Sequence, residues 1–238
     1  MAREQLNSAS YSWNAFPDRP QLAAALAGRV ADLLTKAIAE RGTAVLAVSG
    51  GTTPAKFFAA LSVAPIAWDR VIVTLVDERF VPASSPRSNA GLVAVNLLQN
   101  AAKAARFVPL YHEASGVEDA AASDDAALHA LPWPLDVVVL GMGPDGHTAS
   151  FFPDADDLPK LLDPASDRII LPVHAASAGE PRLTLTLARI IDAGFIALHI
   201  EGEDKRTAFD GAVAPGPRKP IRAVLDAAHR PVEVFWAP

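Results

Sequence analysis

The stretch that decides the fold is TAVLAVSGGTTPAKFFAALS, residues 43–62. Its first half is a short apolar run that ends in two glycines, which predicts a buried strand followed by a turn. A helix is expected next, because Thr53 is a preferred N-cap residue and Pro54 fits the first helical position. The stretch therefore predicts a strand joined directly to a helix, the repeating unit of α/β proteins.

The same alternation continues along the chain. Further strands are expected at residues 71–79, 136–143, 168–174, 195–202 and 232–237, and further helices at 21–41, 88–106, 118–131 and 203–213. The segment 181–193 could begin as a strand and end as a helix, and its periodicity is ambiguous. Because the strands lack a polar face, we predict an open, mostly parallel Rossmann-like sheet with helices on both faces. Residues 1–238 are expected to form a single domain.

The composition excludes several kinds of function. The chain has 238 residues, half of them hydrophobic, and a formal net charge of −6, which argues against a nucleic-acid partner. It has no cysteine, so disulfides and thiolate chemistry are excluded. No apolar run approaches the roughly 18 residues of a membrane span, and the N-terminal segment lacks the apolar core of a signal peptide. We therefore expect a cytoplasmic protein with no membrane partner. A monomer is also expected, although none of these observations gives the oligomeric state.

Four of the expected strands end in charged or reactive residues. These ends are Ser49–Thr53, Asp77–Arg79, Asp145–His147 and Lys205. The C-terminal ends of parallel strands lie at one edge of a sheet, and ligands bind in the crevice at that edge. We therefore expect the four ends to converge on one site, at the C-terminal edge of the sheet.

The turn formed by Ser49, Gly50, Gly51 and Thr52 is a candidate anion site. Its glycines allow backbone amides to approach a ligand, and the following helix directs its positive end to the same place. The sequence lacks both the Lys-Ser/Thr ending of a P-loop and the G-x-G-x-x-G pattern of a dinucleotide site. On this motif alone, an anion site and a plain strand-to-helix turn are equally supported.

Two cations follow strand ends in this sequence. Arg79 offers a planar fork that suits phosphate oxygens, and Lys205 offers a compact charge. An isolated arginine or lysine is usually a solvated surface residue, but the position just past a strand end favours binding. Asp77 and Glu78 are each expected either to orient Arg79 or to contact sugar hydroxyls.

Asp145 and His147 lie in a glycine-rich exit from a strand, GMGPDGH, which is unlike the setting of the other histidines. Near neutral pH an imidazole can act as a general base, and the competing interpretation is a Pro-Asp-Gly turn with an incidental histidine. No G-x-S-x-G elbow is present, which argues against a covalent serine mechanism. No motif has metal-ligand spacing, so we expect no metal.

Six motifs together resemble one known family. VSGGTTP, VDERFVP, SNAGL, LGMGPDGHTASFFP, PRLTLTL and EGEDK occur in the order found in the 6-phosphogluconolactonases, whose fold is similar to that of the glucosamine-6-phosphate isomerases/deaminases. The resemblance runs from about residue 20 to the end of the chain, and its most specific part is the long glycine-rich block.

The resemblance implies hydrolysis of 6-phospho-D-glucono-1,5-lactone to 6-phosphogluconate in the oxidative pentose phosphate pathway, without a cofactor. It implies that His147 is the base and that Asp145 is its acidic neighbour. It also implies that Arg79, Lys205 and Arg182 occupy cationic positions. The stretch before Arg182, AASAGEP, departs from the usual family pattern.

Alternatives come from two other classes. A sugar-phosphate isomerase/deaminase needs an additional carboxylate near the histidine, and the first acid after His147 is Asp154. A non-catalytic sugar-phosphate sensor, such as the effector domain of a regulator, would need a DNA-binding module, and no helix-turn-helix fits. The missing dinucleotide pattern also disfavours an oxidoreductase. The sequence therefore favours the lactonase.

Overall fold

The computed structural model describes residues 10–238, in which strands and helices alternate. The strands are β1 (Tyr11–Ala15), β2 (Ala44–Val48), β3 (Val71–Leu75), β4 (Asp77–Arg79), β5 (Arg106–Val108), β6 (Val137–Leu140), β7 (Ile170–Val173), β8 (Arg182–Leu185), β9 (Ile196–Glu201) and β10 (Val232–Ala237). The α-helices are α1 (Arg19–Arg41), α2 (Ala55–Ser62), α3 (Asn89–Asn96), α4 (Val117–Leu128), α5 (Leu158–Leu161), α6 (Leu187–Ile191), α7 (Glu203–Val213) and α8 (Pro220–Ala227). No helix within these residues is both long and apolar enough to cross a bilayer.

Within residues 10–238, seven strands form one parallel sheet in the order β1-β10-β9-β6-β2-β3-β5. Every residue of β2, β3 and β6 is buried. Strands that are buried on both faces must be covered by helices on both faces, as their unbroken apolar sequences predicted. The predicted parallel α/β architecture is therefore confirmed.

The four strands with polar ends lie at the centre of this sheet. In the sheet order β9, β6, β2 and β3 are consecutive neighbours. The chain runs outward from β2 to β3 and β5 on one side, and outward from β6 to β9 and β10 on the other. The order therefore reverses between β2 and β6, and such a switch point opens a crevice at the C-terminal ends of the strands.

The segment 71–79 was predicted as one strand, and this prediction is wrong. β3 ends at Leu75, and β4 leaves the parallel sheet to pair antiparallel with β8, which in turn pairs with β7. Val76 joins the two sheets, because its N–H donates to the Val48 carbonyl and its own carbonyl accepts from Leu185. The break is invisible to periodicity because buried residues continue across it.

Other boundaries also differ from the sequence-based expectations. The helix predicted at 88–106 ends at Asn96, and a short 3₁₀ helix beginning at Asn100, with φ of 50°, leads into β5. β1 was not predicted, and it pairs with β10 at the sheet edge. Helix α2 has Pro54, rather than Thr53, at its N-cap. The ambiguous segment 181–193 contains both a strand, β8, and a helix, α6.

Candidate active site

A cleft of about 240 Å³ opens at the C-terminal ends of the central strands. Its lining includes these residues from the sequence-based prediction: Ser49, Gly50, Gly51, Thr52, Arg79, His147, Arg182 and Lys205. Asp145 lies beside the cleft in contact with His147. The structure therefore brings together groups that are up to 156 positions apart in the chain, between Ser49 and Lys205 (205 minus 49).

His147 and Asp145 form a hydrogen-bonded pair. The imidazole Nδ1 lies 2.6 Å from Asp145 Oδ1, and the His147 backbone N–H donates to the same oxygen over 3.2 Å. Partial burial opposes ionisation of Asp145, but the charge of His147 and these hydrogen bonds outweigh burial, so the pKa of Asp145 is lowered. An ionised carboxylate only accepts hydrogen bonds, so in the neutral imidazole the proton lies on Nδ1 and the lone pair on Nε2. The contact thus selects the tautomer whose Nε2 can accept a proton.

The glycine-rich turn fixes the position of the imidazole. The Gly143 N–H donates to the His147 carbonyl over 2.8 Å, and Gly146, with φ of 86°, donates to the Gly143 carbonyl. A Cβ atom on Gly143 would overlap the His147 ring and lie 2.6 Å from Asp145 Oδ1. The Phe152 ring packs 4.5 Å from the imidazole, measured between ring centroids. Close packing around the base therefore requires glycine at position 143, and the positive φ favours it at position 146.

The Ser49–Thr52 turn has the features of an anion site. The Ser49 N–H donates to the Val139 carbonyl over 2.9 Å, which anchors the turn to β6. A Cβ atom on Gly50 would overlap the Asn89 side chain, and Gly51 has φ of 98°. Ser49 Oγ is buried and makes no hydrogen bond within residues 10–238. Helix α2 begins just after the turn, so its positive end lies beside the cleft.

Two arginines enter the cleft from the antiparallel sheet. Arg182 is only 6% exposed; its Nη2 donates to the Ala178 carbonyl over 2.8 Å and lies 3.2 Å from Glu180 Oε1. Burial lowers the pKa of Arg182, and the negative charges of Asp77 and Glu180 oppose this shift. The Arg79 Nη1 donates to the Arg87 carbonyl. Within the described residues, the Nε atoms of both arginines are buried without a hydrogen-bond partner, so each has unused capacity for an anion.

Lys205 supplies a third cation, from the first turn of α7. Its Nζ donates to the Met142 carbonyl over 2.7 Å, in the strand exit that also carries His147. Burial lowers the pKa of Lys205, while the charge of Asp145 opposes that shift. An ammonium group has three donors, so two remain for a ligand.

Glu78 has a structural role that the sequence did not indicate. Its fully buried carboxylate accepts hydrogen bonds from the backbone N–H groups of Arg79, Asn89 and Ala90 and from the Ser88 hydroxyl. Burial raises the pKa of Glu78, and these hydrogen bonds oppose the shift. The carboxylate thus caps the N-terminus of α3 and is not among the groups that line the cleft. Of the two expectations for Glu78, the contact with Arg79 is present through the Arg79 backbone N–H, whereas the position of Glu78 outside the lining of the cleft argues against contact with sugar hydroxyls.

Several residues of the cleft were not singled out from the sequence. Asn89 begins α3 and donates to the Asp77 carbonyl over 2.8 Å, and Thr148 and His199 also line the cleft. The signal for Asn89 was its place in the SNAGL motif, whereas His199 is embedded in an apolar strand that gives no signal. Within residues 10–238, no group of three or more His, Asp or Glu side chains is arranged to hold a metal ion.

Comparisons with known proteins identify the family to which the chain belongs. The family model described as glucosamine-6-phosphate isomerases/6-phosphogluconolactonase matches residues 17–236. A relative from Mesorhizobium japonicum, named 6-phosphogluconolactonase, is 93% identical over 238 residues and covers all of both chains. A relative of the same name from Rhizobium meliloti is 51% identical and covers 96% of this chain and 100% of its own. The crystal structure of a 6-phosphogluconolactonase from Shewanella baltica superposes with a TM-score of 0.93 at 39% identity, covering 96% of this chain and 98% of that one.

Proposed function

This chain belongs to the glucosamine-6-phosphate isomerase/6-phosphogluconolactonase family, and we propose that it hydrolyses 6-phospho-D-glucono-1,5-lactone with His147 as the general base. The product is 6-phospho-D-gluconate, and the reaction belongs to the oxidative pentose phosphate pathway. The relatives that share its sequence confirm the lactonase activity expected from the motifs. The observation that carries the mechanism is the 2.6 Å contact between His147 Nδ1 and Asp145 Oδ1, which leaves Nε2 free to accept a proton.

The first chemical step is the attack of water on the lactone carbonyl carbon. A δ-lactone is an activated ester, so the reaction needs a base and a partner for the developing oxyanion. His147 Nε2 takes a proton from water as the new carbon–oxygen bond forms, and ionised Asp145 stabilises the imidazolium. When the tetrahedral intermediate collapses, the bond from the carbonyl carbon to the ring oxygen breaks. The imidazolium then returns its proton to that oxygen, which becomes a hydroxyl group.

The oxyanion needs donors that are not already in use. The amides of Gly143 and Gly146 donate to carbonyls inside the turn, so they are not free for the substrate. Lys205 Nζ lies in the same strand exit and keeps two donors after bonding to the Met142 carbonyl. We therefore assign the oxyanion to the cationic side chains of the cleft, Lys205 among them.

We assign the phosphate group of the substrate to the Ser49–Thr52 turn, which lines the same cleft. The positive end of α2, the Ser49 hydroxyl and the Arg79 guanidinium all offer donors there. Arg182 adds charge from the neighbouring strand. Binding energy from the phosphate would hold the lactone ring over His147, which is the positioning role of a remote group.

One observation keeps the isomerase/deaminase alternative testable. Asp77 places a carboxylate in the lining of the cleft, although no acid follows His147 closely in the sequence. Its Oδ2 accepts from Ser150 Oγ over 2.6 Å, and Asn89 binds its carbonyl, so Asp77 is tied into the wall of the cleft. This engagement favours a structural role for Asp77 over proton transfer to a sugar carbon.

The proposal is tested by measuring hydrolysis of the phosphorylated and the unphosphorylated lactone side by side, each corrected for spontaneous hydrolysis. We expect acceleration on both and a much larger kcat/KM for the phosphorylated lactone. No acceleration on either substrate would refute the proposed function. Equal values of kcat/KM would refute the phosphate site.

We also propose that the chain works as a single domain, as a monomer and in the cytoplasm, without a cofactor. The family match over residues 17–236 supports one functional unit. The monomer is tested by light scattering of the purified protein at several concentrations, where a mass near 25.0 kDa is expected.

A further inference from the structure

We propose that His199 is a substrate-binding residue whose Nδ1 accepts a hydrogen bond from a hydroxyl group of the bound sugar. The inference rests on the proposed function and extends it to a group that the mechanism does not use. His199 lies near the C-terminal end of β9, is 3% exposed, and lines the same cleft as His147.

The protonation pattern of His199 follows from its partner. The ring Nε2 lies 3.2 Å from Glu201 Oε1, and the Glu201 carboxylate also lies 3.4 Å from Arg19 Nε. A carboxylate paired in this way offers only acceptors, so the proton of the neutral ring lies on Nε2. Nδ1 is then an acceptor, and it makes no hydrogen bond to another group within residues 10–238.

The sheet register places this acceptor next to open space. Leu198 is the partner of Leu140 on β6, so the next pair in register is His199 and Gly141. Gly141 has no side chain, and a Cβ atom built there would meet nothing within 4 Å. On its other side the His199 ring packs edge-on against Phe57 of α2, with 6.1 Å between ring centroids. The ring thus contacts Phe57 and Glu201, while the space next to Gly141, where a Cβ atom would stand, holds no other atom within 4 Å.

The chemistry of a fixed acceptor selects a hydroxyl group. A phosphate dianion presents oxygen lone pairs, which would face the lone pair of Nδ1, whereas a sugar hydroxyl can donate a proton to it. A buried acceptor that is left unpaired in a complex is costly, so such a group discriminates against ligands that lack the donor. His199 would therefore contribute to recognition of the polyhydroxyl part of the substrate and not of its phosphate.

Two substitutions distinguish the role of Nδ1 from that of Nε2. His199→Gln keeps an amide near the position of Nε2, next to Glu201, but removes the acceptor at Nδ1. His199→Asn places its amide near the position of Nδ1 and therefore keeps an acceptor toward the cleft. We expect the Gln variant to bind 6-phosphogluconate about three- to tenfold more weakly, the range for loss of one neutral hydrogen bond. The Asn variant should stay close to wild type.

The probes are 6-phosphogluconate and inorganic phosphate, with dissociation constants measured by calorimetry on the intact chain. Inorganic phosphate should bind wild type and both variants equally, because it carries no sugar hydroxyl. Equal weakening of both probes, or equal weakening by both substitutions, would overturn the proposal and assign His199 to packing or to the phosphate.

A further variant keeps the proposal testable if His199→Gln does not fold. Glu201→Asp shortens the carboxylate side chain by one methylene group and releases the His199 ring. It should therefore weaken the binding of 6-phosphogluconate but not that of inorganic phosphate. Unchanged affinity for both ligands in the folded variant would overturn the proposal. Wild-type lactone hydrolysis is measured separately. Its absence would refute the proposed function, while the two binding constants would still report on His199.

Discussion

Arg79 and Arg182 lie directly opposite each other in the antiparallel pairing of β4 with β8, and both side chains line the cleft. Like charges in opposite positions of a sheet destabilise it. Glu180, whose Oε1 lies 3.2 Å from Arg182 Nη2, offsets part of this repulsion, and its own pKa is lowered, chiefly by its hydrogen bond with Arg87. An anion bound between the two guanidinium groups would offset more of this repulsion, so the pairing favours an anionic ligand.

The role of Arg79 is tested by Arg79→Ala. We expect a large loss of kcat/KM on the phosphorylated lactone, because a dianion would lose a charge-assisted partner, and a much smaller loss on gluconolactone. Arg70→Ala is the matched control, since Arg70 precedes β3 and therefore lies at the opposite edge of the sheet. Equal losses on the two lactones would show that Arg79 does not bind the phosphate.

The role of His147 is tested by His147→Gln, which keeps a hydrogen-bonding group but cannot take a proton. General-base catalysis contributes about 10²–10⁴-fold, so we expect kcat to fall by about that factor while 6-phosphogluconate still binds. The measurement is the initial rate after subtraction of spontaneous hydrolysis. A variant with nearly normal kcat would refute the assignment of His147 as the base. If the variant does not fold, His147→Asn replaces it.

The packing of the glycine-rich turn is tested by Gly143→Ala. The new methyl group would overlap the His147 ring, so the imidazole must move and kcat should fall. Gly211→Ala is the control, because a Cβ atom at Gly211 in α7 meets nothing within 4 Å. We expect the control to keep normal activity and to be slightly more stable, since alanine favours a helix. Normal activity in Gly143→Ala would mean that this contact does not position the base.

The choice between family activities is tested with glucosamine 6-phosphate. We expect neither isomerisation nor release of ammonia, because the one carboxylate near the base in sequence, Asp145, is held by His147. Ammonia is measured by a coupled assay at the protein concentration used for the lactone. Production at a rate comparable to lactone hydrolysis would reverse the assignment and would direct attention to Asp77.

A pH dependence of stability is expected from Asp124 on α4. Burial raises the pKa of Asp124 from 3.8 to about 6, although His112, whose Nδ1 lies 2.9 Å from Asp124 Oδ1, opposes the shift. Between these two pH values the Asp124 carboxyl is protonated in the folded state and ionised in the unfolded state, so its protonation stabilises the folded state. This contribution to the free energy of unfolding is full below pH 3.8 and disappears as the pH rises through about 6.

Asp124→Asn removes this titration. Between about pH 4 and pH 7, the free energy of unfolding of wild type should fall relative to that of the variant, as measured by denaturant titration at each pH. Asp119→Asn, on the exposed face of the same helix, makes the same change of charge and is the control. Parallel pH profiles for wild type and Asp124→Asn would contradict the expectation.

The sequence predicted those site residues that lie at the C-terminal ends of parallel strands. Because ligands bind at the C-terminal edge, residues next to strand ends such as His147 and Lys205 could be grouped into one site from their positions in the chain alone. The rule could not find His199, which lies inside an apolar strand and lines the cleft beside Gly141. It also could not show that Arg79 leaves the main sheet, since that depends on pairing with β8, about a hundred residues later.

The three residues of β4 do not tolerate a change in the length of the segment that precedes them. Side chains alternate along a strand, so Asp77 and Arg79 line the cleft while Glu78 points away and caps α3. Inserting or deleting one residue just before Asp77 would exchange the two sides, aiming the glutamate at the cleft and removing its carboxylate from the N-terminus of α3. Homologues should therefore vary in length in the loops after Arg79 but never between Val76 and Arg79.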